Sequence, residues 1–172
     1  HPRPLCGCLL CDKTFAARLN RLRAEDPTPA IAEIQALRLG RLIFSSEGDR
    51  IMIPRNEDET TRLTALARPG DLLMSAEGHM GPTAVIKCGS AGNADSIGEA
   101  TLREAAALTA RYGQGREEER VIIAWWPAET GGGNAGDDAF VRTVMETDTA
   151  SRHVVEVSPG DGWRLAETLE RE

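Results

Sequence analysis

The sequence predicts an α+β fold: a mostly antiparallel sheet of short strands with helices packed on it, preceded by an N-terminal helical segment. Two observations support this class. Short runs of strand-forming residues are joined by hairpin-length connections, which favours antiparallel pairing. Segments with helical periodicity are mixed among these runs. With 172 residues, of which 41% are hydrophobic and 27% charged, the chain is long enough to bury a core without disulfide bonds.

The first two predicted elements are helices. Asp12 has the position of an N-cap and apolar residues follow it at helical spacing, which predicts a helix over 13–23. These apolar residues are Phe15, Leu19 and Leu22. A second helix over 30–39 is predicted after a pair of prolines, and Gly40 suits its C-terminal end.

Strand patterns then replace the helical period. Strands over 41–44 and 50–53 are separated by a turn-forming segment and predict a hairpin, after which Asn56 can cap a helix. Later in the chain, Trp125 and Trp126 are expected on opposite faces of a strand because side chains alternate along it. The remaining predicted elements are strands over 71–75, 83–87, 120–126, 140–145 and 153–157, and helices over 57–67, 99–112 and 163–170.

The charge balance limits the possible partners. The net charge of −7 argues against a general polyanion-binding protein but allows a local arginine patch. No apolar run reaches ~18 residues, so no membrane span is expected. The start at His1 is typical of an excised piece, and the native chain is expected to extend upstream. We assign 1–39 to an N-terminal helical linker that contains cysteines, and 40–172 to the main domain.

The four cysteines allow three interpretations; they are Cys6, Cys8, Cys11 and Cys88. So few cysteines in a chain of this size do not suggest a disulfide framework, and we expect a reducing, cytoplasmic location. Cys8 and Cys11 form a C-x-x-C before a helix, where a lowered thiol pKa would suit redox or sulfur-transfer chemistry. All four could instead hold a tetrahedral metal, although the second C-x-x-C of a zinc knuckle is missing. Inert packing is the interpretation we prefer, and no cofactor is expected.

A group of hydrogen-bond donors is predicted at the open end of the hairpin. Arg41 and Arg55 become neighbours because a hairpin brings its outer ends together, and Asn56 begins the next helix. Guanidinium and amide donors near a helix N-terminus can bind phosphate. An equally weighted alternative is that Arg55 and Asn56 only cap and tether the helix. His79, in the loop after the third strand, is a further contact candidate, beside the alternative of a plain exposed loop histidine.

The run RLIFSSEGDRIMIPRNEDETTRLTALARPGDLLMSAEGHMGPTAVIK resembles the NFACT-R domain, an RNA-binding module. The matching residues are Ser46, Gly48, Arg55, Asn56, Glu57, Leu63, Pro69, Asp71, Gly81 and the strand 85–87. The opening GCLLCDKTFAARLNRL, followed by EIQALRLGRLIF, is similar to one variant of this domain. That variant lies C-terminal to the ATP-pyrophosphatase (PP-loop) domain of bacterial tRNA thiouridylase-like proteins. The resemblance covers about residues 6–126.

The chain also departs from the family pattern. Pro54 stands where glycine is usual, and Thr60 stands where asparagine is expected. Leu73 and Ser75 occupy the positions of a family tryptophan and histidine, so the contacts of those two residues cannot be carried over. The RNA-binding roles that the resemblance implies are limited to four residues: Arg55, Asn56 and, more weakly, Arg41 and Lys87.

These features favour a non-catalytic accessory domain that helps a tRNA thiouridylase-like enzyme hold its tRNA through phosphate contacts. The resemblance implies an ATP-dependent transferase as the parent protein and an upstream PP-loop domain of the same chain as a partner. The S-G-G-x-D-S loop of that chemistry is absent here, so no catalytic residue is assigned. The alternatives are a sulfur-transfer or metal-binding module built on the cysteines, and an interdomain or dimerisation module that has lost RNA binding.

Overall fold

The computed structural model describes residues 12–87, 96–128 and 153–169. Its α-helices are α1 Lys13–Glu25, α2 Ile31–Ala36, α3 Glu57–Ala65, α4 Glu99–Tyr112 and α5 Pro159–Leu169, and a 3-10 helix covers Gln114–Glu117. Its strands are β1 Arg41–Phe44, β2 Arg50–Ile53, β3 Leu72–Ala76, β4 Ala84–Lys87, β5 Val121–Pro127 and β6 His153–Val157. The strand predicted over 140–145 lies outside the described residues.

The described strands form one six-stranded sheet in the order β1-β2-β4-β3-β5-β6, in which each neighbouring pair is antiparallel. The predicted α+β class is therefore confirmed. The β1–β2 hairpin has the predicted bounds, and Arg41 lies opposite Ile53. Because β4 pairs with both β2 and β3, the open end of the hairpin lies on the same edge of the sheet as the end of β3 at Ala76. We call this edge the mouth edge.

Helices cover both faces of the sheet. On one face, the α4 face, isoleucine and methionine side chains of the sheet pack against α4, and Leu165 of α5 joins them. This core includes Ile43, Ile51, Met74, Ile86, Ile123, Ala106 and Leu108. On the other face, the α3 face, α2 and α3 cover the sheet, and the core includes Met52, Leu73, Val85, Ala36 and Leu63. Trp125 packs on the α4 face and Trp126 on the α3 face, which confirms the predicted alternation.

The helix ends follow local rules except at α2. Asp12 Oδ1 accepts hydrogen bonds from the backbone N of Thr14 at 2.9 Å and of Phe15 at 3.2 Å, which confirms this N-cap. The predicted second helix ends early, at Ala36, because the backbone N–H groups of Arg38 and Leu39 bond three residues back instead of four. The chain then reaches Gly40, whose φ of +65° is a conformation that favours glycine.

The hairpin turn holds the start of α4. Gly98 is the N-cap of α4 and has no side chain to offer, so the Glu47 carboxylate serves instead. Glu47 Oε2 accepts hydrogen bonds from the backbone N of Thr101 at 3.1 Å and from its Oγ1 at 3.0 Å. A Cβ at position 98 would overlap this carboxylate. The contact joins the hairpin to the helix whose last residues reach the mouth edge.

No helix in the described ranges is both long enough and apolar enough to cross a lipid bilayer.

Candidate nucleic-acid interface

The mouth edge brings together most of the predicted contact residues. Arg41 begins β1 and Arg55 follows the end of β2, so the pairing of Arg41 with Ile53 places both arginines at this edge. His79 lies in the loop between β3 and β4, which is at the same edge. The two arginines nevertheless face different neighbours, and their surroundings differ in charge.

Arg55 and Asn56 hold the start of α3. Asn56 Oδ1 accepts a hydrogen bond from the backbone N of Glu59 at 2.8 Å, as an N-cap does. Glu59 Oε2 in turn accepts from the backbone N of Arg55 at 2.8 Å and of Gly40 at 3.1 Å. The Arg55 guanidinium lies 3.5 Å from Glu59 Oε1 and stays about half exposed, at 48%. The tethering alternative thus describes contacts that are present, while a phosphate contact by the exposed part of Arg55 stays a prediction.

Variants of Asn56 test its role as a helix cap without any RNA present. We expect Asn56→Ala to lower the free energy of unfolding by about 1 kcal/mol, because the Glu59 N–H loses its acceptor at the helix start. Asn56→Ser keeps a capping oxygen and is expected to stay within a few tenths of a kcal/mol of the parent. Urea titration followed by circular dichroism measures both variants. Equal stability of all three proteins would contradict the capping role.

Arg18 adds a second positive charge beside Arg55. Its Nη1 donates a hydrogen bond to the backbone oxygen of Leu37 at 2.8 Å. This bond holds the Arg18 side chain, which belongs to α1, against the segment that leads into the hairpin. Burial lowers the pKa of the Arg18 guanidinium, and the charge of Arg55 lowers this pKa further, while Asp12 acts in the opposite direction. The two guanidiniums thus repel each other, and the carboxylate of Asp12 offsets part of this repulsion.

Arg41 turns towards the α4 face and stacks on an aromatic ring. Its Cζ lies 4.4 Å from the ring centroid of Tyr112, the last residue of α4, and the Cζ of Arg111 lies 4.9 Å from the same centroid. The indole of Trp163 in α5 lies next in this series, with the Arg111 Cζ 4.2 Å from its ring centroid. We call these four residues the arginine–aromatic cluster.

The two arginines of the arginine–aromatic cluster have no ion pair within the described residues. Neither Arg41 nor Arg111 forms an ion pair there, whereas three exposed arginines elsewhere do. Those pairs are Arg62 with Asp58, Arg103 with Glu99, and Arg120 with Glu156. On a chain with a net charge of −7, two unpaired guanidiniums around one ring make a local positive surface.

His79 belongs to a loop that is fixed against the end of α4. The backbone N of Gln114 donates to the backbone oxygen of Met80 at 2.9 Å, and the His79 ring packs so close to Gly115 that a Cβ there would lie 3.1 Å from it. The imidazole is half-buried, so part of it can meet a ligand. Its role as an RNA contact stays a prediction.

Lys87 lies in the interior rather than at the surface. Its side chain has no exposed area, and its Nζ donates to Asp71 Oδ2 at 2.8 Å, Glu33 Oε1 at 3.2 Å and the backbone oxygen of Leu66 at 3.3 Å. An ammonium group has three hydrogens, and three acceptors surround it. Because no donor remains for a phosphate, we leave Lys87 out of the interface proposed below.

The four cysteines lie outside the described residues; they are Cys6, Cys8, Cys11 and Cys88. Sulfur transfer and metal binding by these thiols stay predictions. Across residues 12–87, 96–128 and 153–169, no three His, Cys, Asp or Glu side chains are grouped in a way that could hold a metal.

Sequence reasoning placed Arg41 and Arg55 at one edge of the sheet, as the structure does, but gave no sign of Arg18 or of the other members of the arginine–aromatic cluster. Arg111 and Tyr112 could be read as the end of a strong helix, and Tyr112 is the single tyrosine of the chain. Nothing in the local pattern places that helix end beside Arg41. The contact depends on the sheet order and on α4 crossing the sheet.

Comparison with known proteins matches the chain to a family model and to solved structures. A family model described as the NFACT protein RNA binding domain matches residues 40–131, which is more than half of the chain. Among solved structures, the C-terminal part of the fibronectin/fibrinogen-binding protein from Streptococcus suis has a TM-score of 0.55 and 17% sequence identity. That match covers 88% of this chain and 67% of the other chain, and at this identity it shows a shared fold alone. No curated protein matches the chain.

Proposed function

We propose that this chain binds RNA, because it belongs to the family of NFACT RNA-binding domains. The observation that carries the proposal for this particular chain is the unpaired positive surface at the mouth edge. Arg41 and Arg111 surround Tyr112 without a carboxylate partner in the described part of the chain, and Arg18 and Arg55 form a second pair of like charges. Phosphate oxygens are the acceptors that such guanidiniums bind best.

The two pairs of arginines, Arg41 with Arg111 and Arg18 with Arg55, are expected to contribute unequally to RNA affinity. Glu57 and Asp58 put negative charge beside Arg55, and Glu59 already occupies part of its guanidinium. Arg41 has no such competitor among the described residues. We therefore expect Arg41 to contribute more to the binding of a polyanion than Arg55 does.

Anisotropy titration with labelled tRNA tests the proposal. With about three phosphates neutralised, affinity is expected to fall about 20-fold between 50 and 200 mM salt. Arg41→Gln is expected to weaken binding at low salt by about fivefold to tenfold and to reduce the salt dependence by about one phosphate. Arg55→Gln is expected to act in the same direction with a smaller effect.

Arg103→Gln is the matched control, because Arg103 is exposed and already paired with Glu99 on the outer side of α4. This variant is expected to bind within twofold of the parent. Equal losses for Arg41→Gln and Arg103→Gln would show a diffuse charge effect and would overturn the assigned surface. The absence of salt-dependent tRNA binding in the parent chain would overturn the proposal as a whole.

The proposal extends to the protein in which this domain works. The similarity of the opening segment to the thiouridylase-associated variant supports a non-catalytic accessory domain in a cytoplasmic, ATP-dependent tRNA thiouridylase-like protein, with a PP-loop domain upstream. The gene that encodes the chain provides the test: an upstream S-G-G-x-D-S loop in the same reading frame supports this context. An unrelated upstream domain would contradict the context and leave RNA binding unaffected.

A further inference from the structure

We propose that Trp163 and Arg111 form a stacking site for one unpaired nucleobase, so that the domain selects single-stranded over duplex RNA. The inference rests on the proposed RNA binding and adds the form of RNA that is recognised. It concerns α5, which lies outside the residues that the family model matches.

Trp163 is an exposed aromatic side chain held in a defined place. About half of it, 52%, is exposed, and the guanidinium of Arg111 lies against the ring at 4.2 Å from its centroid. The position is set by the residue before it. A Cβ on Gly162 would overlap the backbone oxygen of Ala107, so the absence of a side chain lets α5 approach α4 closely at this point. Trp163 is thus carried on one helix and braced by a side chain from another.

Arg111 keeps an unused donor next to this ring. Its Nη1 is buried and has no hydrogen-bond partner among the described residues. Buried polar groups are normally paired, so a guanidinium nitrogen left unpaired beside an exposed indole indicates a place where a ligand supplies the acceptor. The exocyclic oxygen or ring nitrogen of a base, or the phosphate next to it, provides such an acceptor.

The charge of the neighbourhood decides which planar ligand fits. Arg111 and Arg41 lie around Tyr112 with no carboxylate partner in the described ranges, so a cationic or neutral aromatic ligand gains little there. A nucleotide combines a π-face for the indole with a negative phosphate for the arginines. Tyr112 contacts both arginines and thereby connects the stacking site to Arg41 at the mouth edge.

The same geometry discriminates against duplexes. In an A-form helix each base is covered on both faces by its neighbours, and side chains reach the phosphates and the 2′-hydroxyls instead. A base can stack on Trp163 only after it leaves the helix. Duplex RNA therefore keeps the phosphate contacts of the mouth edge and loses the contact with the indole.

The test compares a single strand of about 12 nucleotides with the same strand annealed to its complement. With the whole chain, Trp163→Leu is expected to weaken binding of the single strand about tenfold or more and to change duplex binding by less than twofold. Trp163→Phe keeps a π-face and is expected to retain most of the affinity. Ile122→Ala, which removes an apolar side chain of similar exposure on β5, is expected to bind both RNAs like the parent.

Each result bears on the inference. Unchanged single-strand binding in Trp163→Leu, with weakened binding in Arg41→Gln, would overturn the stacking site and leave the proposed RNA binding intact. Equal losses for single strand and duplex, or a Trp163→Phe variant as weak as Trp163→Leu, would overturn base stacking as the cause. The absence of RNA binding in the parent chain would overturn both proposals. Circular dichroism confirms that each variant is folded before it is titrated.

Discussion

Lys87→Met is expected to lower the free energy of unfolding by about 3–5 kcal/mol, because it removes one cation from a buried charge network and leaves a buried carboxylate, Asp71, without its ion-pair partner. The Lys87 side chain has 0% exposure, and the carboxylates of Glu33 and Asp71 beside it have 7% and 5%. Arg50 also belongs to the network, with its Nη1 3.2 Å from Glu33 Oε2. Lys87 and Arg50 are thus its buried cations and Glu33 and Asp71 its buried carboxylates, while the more exposed Arg68 and Glu25 lie 3.9 Å from Glu33 and 3.7 Å from Arg50.

Removing one member of this network breaks the balance. A carboxylate without its partner either stays charged in a poorly solvated site or takes up a proton, and both outcomes cost stability. Urea titration followed by circular dichroism measures the loss. A Lys87→Met variant that also carries Asp71→Asn is expected to regain part of it, since Glu33 keeps Arg50 as its partner and no buried carboxylate is left without a cation.

Arg62→Met provides the matched control for Lys87→Met. Arg62 also forms an ion pair, with Asp58 at 3.6 Å, but both side chains are exposed on α3. An exposed pair of this kind contributes about 0.5 kcal/mol or less. A loss of less than about 1 kcal/mol in Lys87→Met, or losses of equal size in the two variants, would show that burial does not raise the importance of the Lys87 contacts.

Gly40→Ala is expected to cost about 3 kcal/mol or more, through two effects that add. The φ of +65° at Gly40 is unfavourable for alanine by about 1–2 kcal/mol. In addition, the new Cβ would overlap the backbone oxygen of Ile53 in the paired strand, and this overlap can be relieved only by moving backbone. The same variant disturbs the hydrogen bond from the Gly40 N–H to Glu59. It thereby affects Arg55, whose backbone N donates to the same carboxylate.

Gly48→Ala isolates the conformational part of this effect. Gly48 has a φ of +91° in the hairpin turn, and a Cβ there would meet nothing within 4 Å. We expect it to cost only about 1–2 kcal/mol, from the backbone conformation alone. Chemical unfolding of the two variants under one set of conditions compares them. If Gly40→Ala loses no more than Gly48→Ala, the close approach of Gly40 to β2 does not constrain the fold.

Much of the fold could be predicted because its signals are local. The hairpin over 41–44 and 50–53, and the caps at Asp12 and Asn56, depend on residues within a few positions of one another. The early end of α2 was not predicted, because apolar residues that continue a helical period are buried there in a tight turn instead. A helical spacing of apolar residues indicates which side chains are buried. Side chains can be buried at that spacing without the α-helix continuing through them.

The interface was predicted less completely than the fold. Hairpin geometry placed Arg41 and Arg55 at one edge from the sequence, but their partners belong to other elements. Arg41 meets Tyr112 at the end of α4, and Arg55 lies near Arg18 of α1. One amino-acid sequence contains no local signal that pairs these residues, because each contact joins segments that are distant in the chain.

Backbone preferences and short-range spacing are enough to predict the fold class, the hairpin, the caps and the arginines at the open end of the hairpin. Which charges remain available depends instead on the tertiary structure. It surrounded Lys87 with Glu33 and Asp71, which lie 54 and 16 residues away, and it left Arg41 and Arg111 against aromatic rings. The physical reason is that the availability of a charge depends on its neighbours in space, and the sheet order brings those neighbours together from separate parts of the chain.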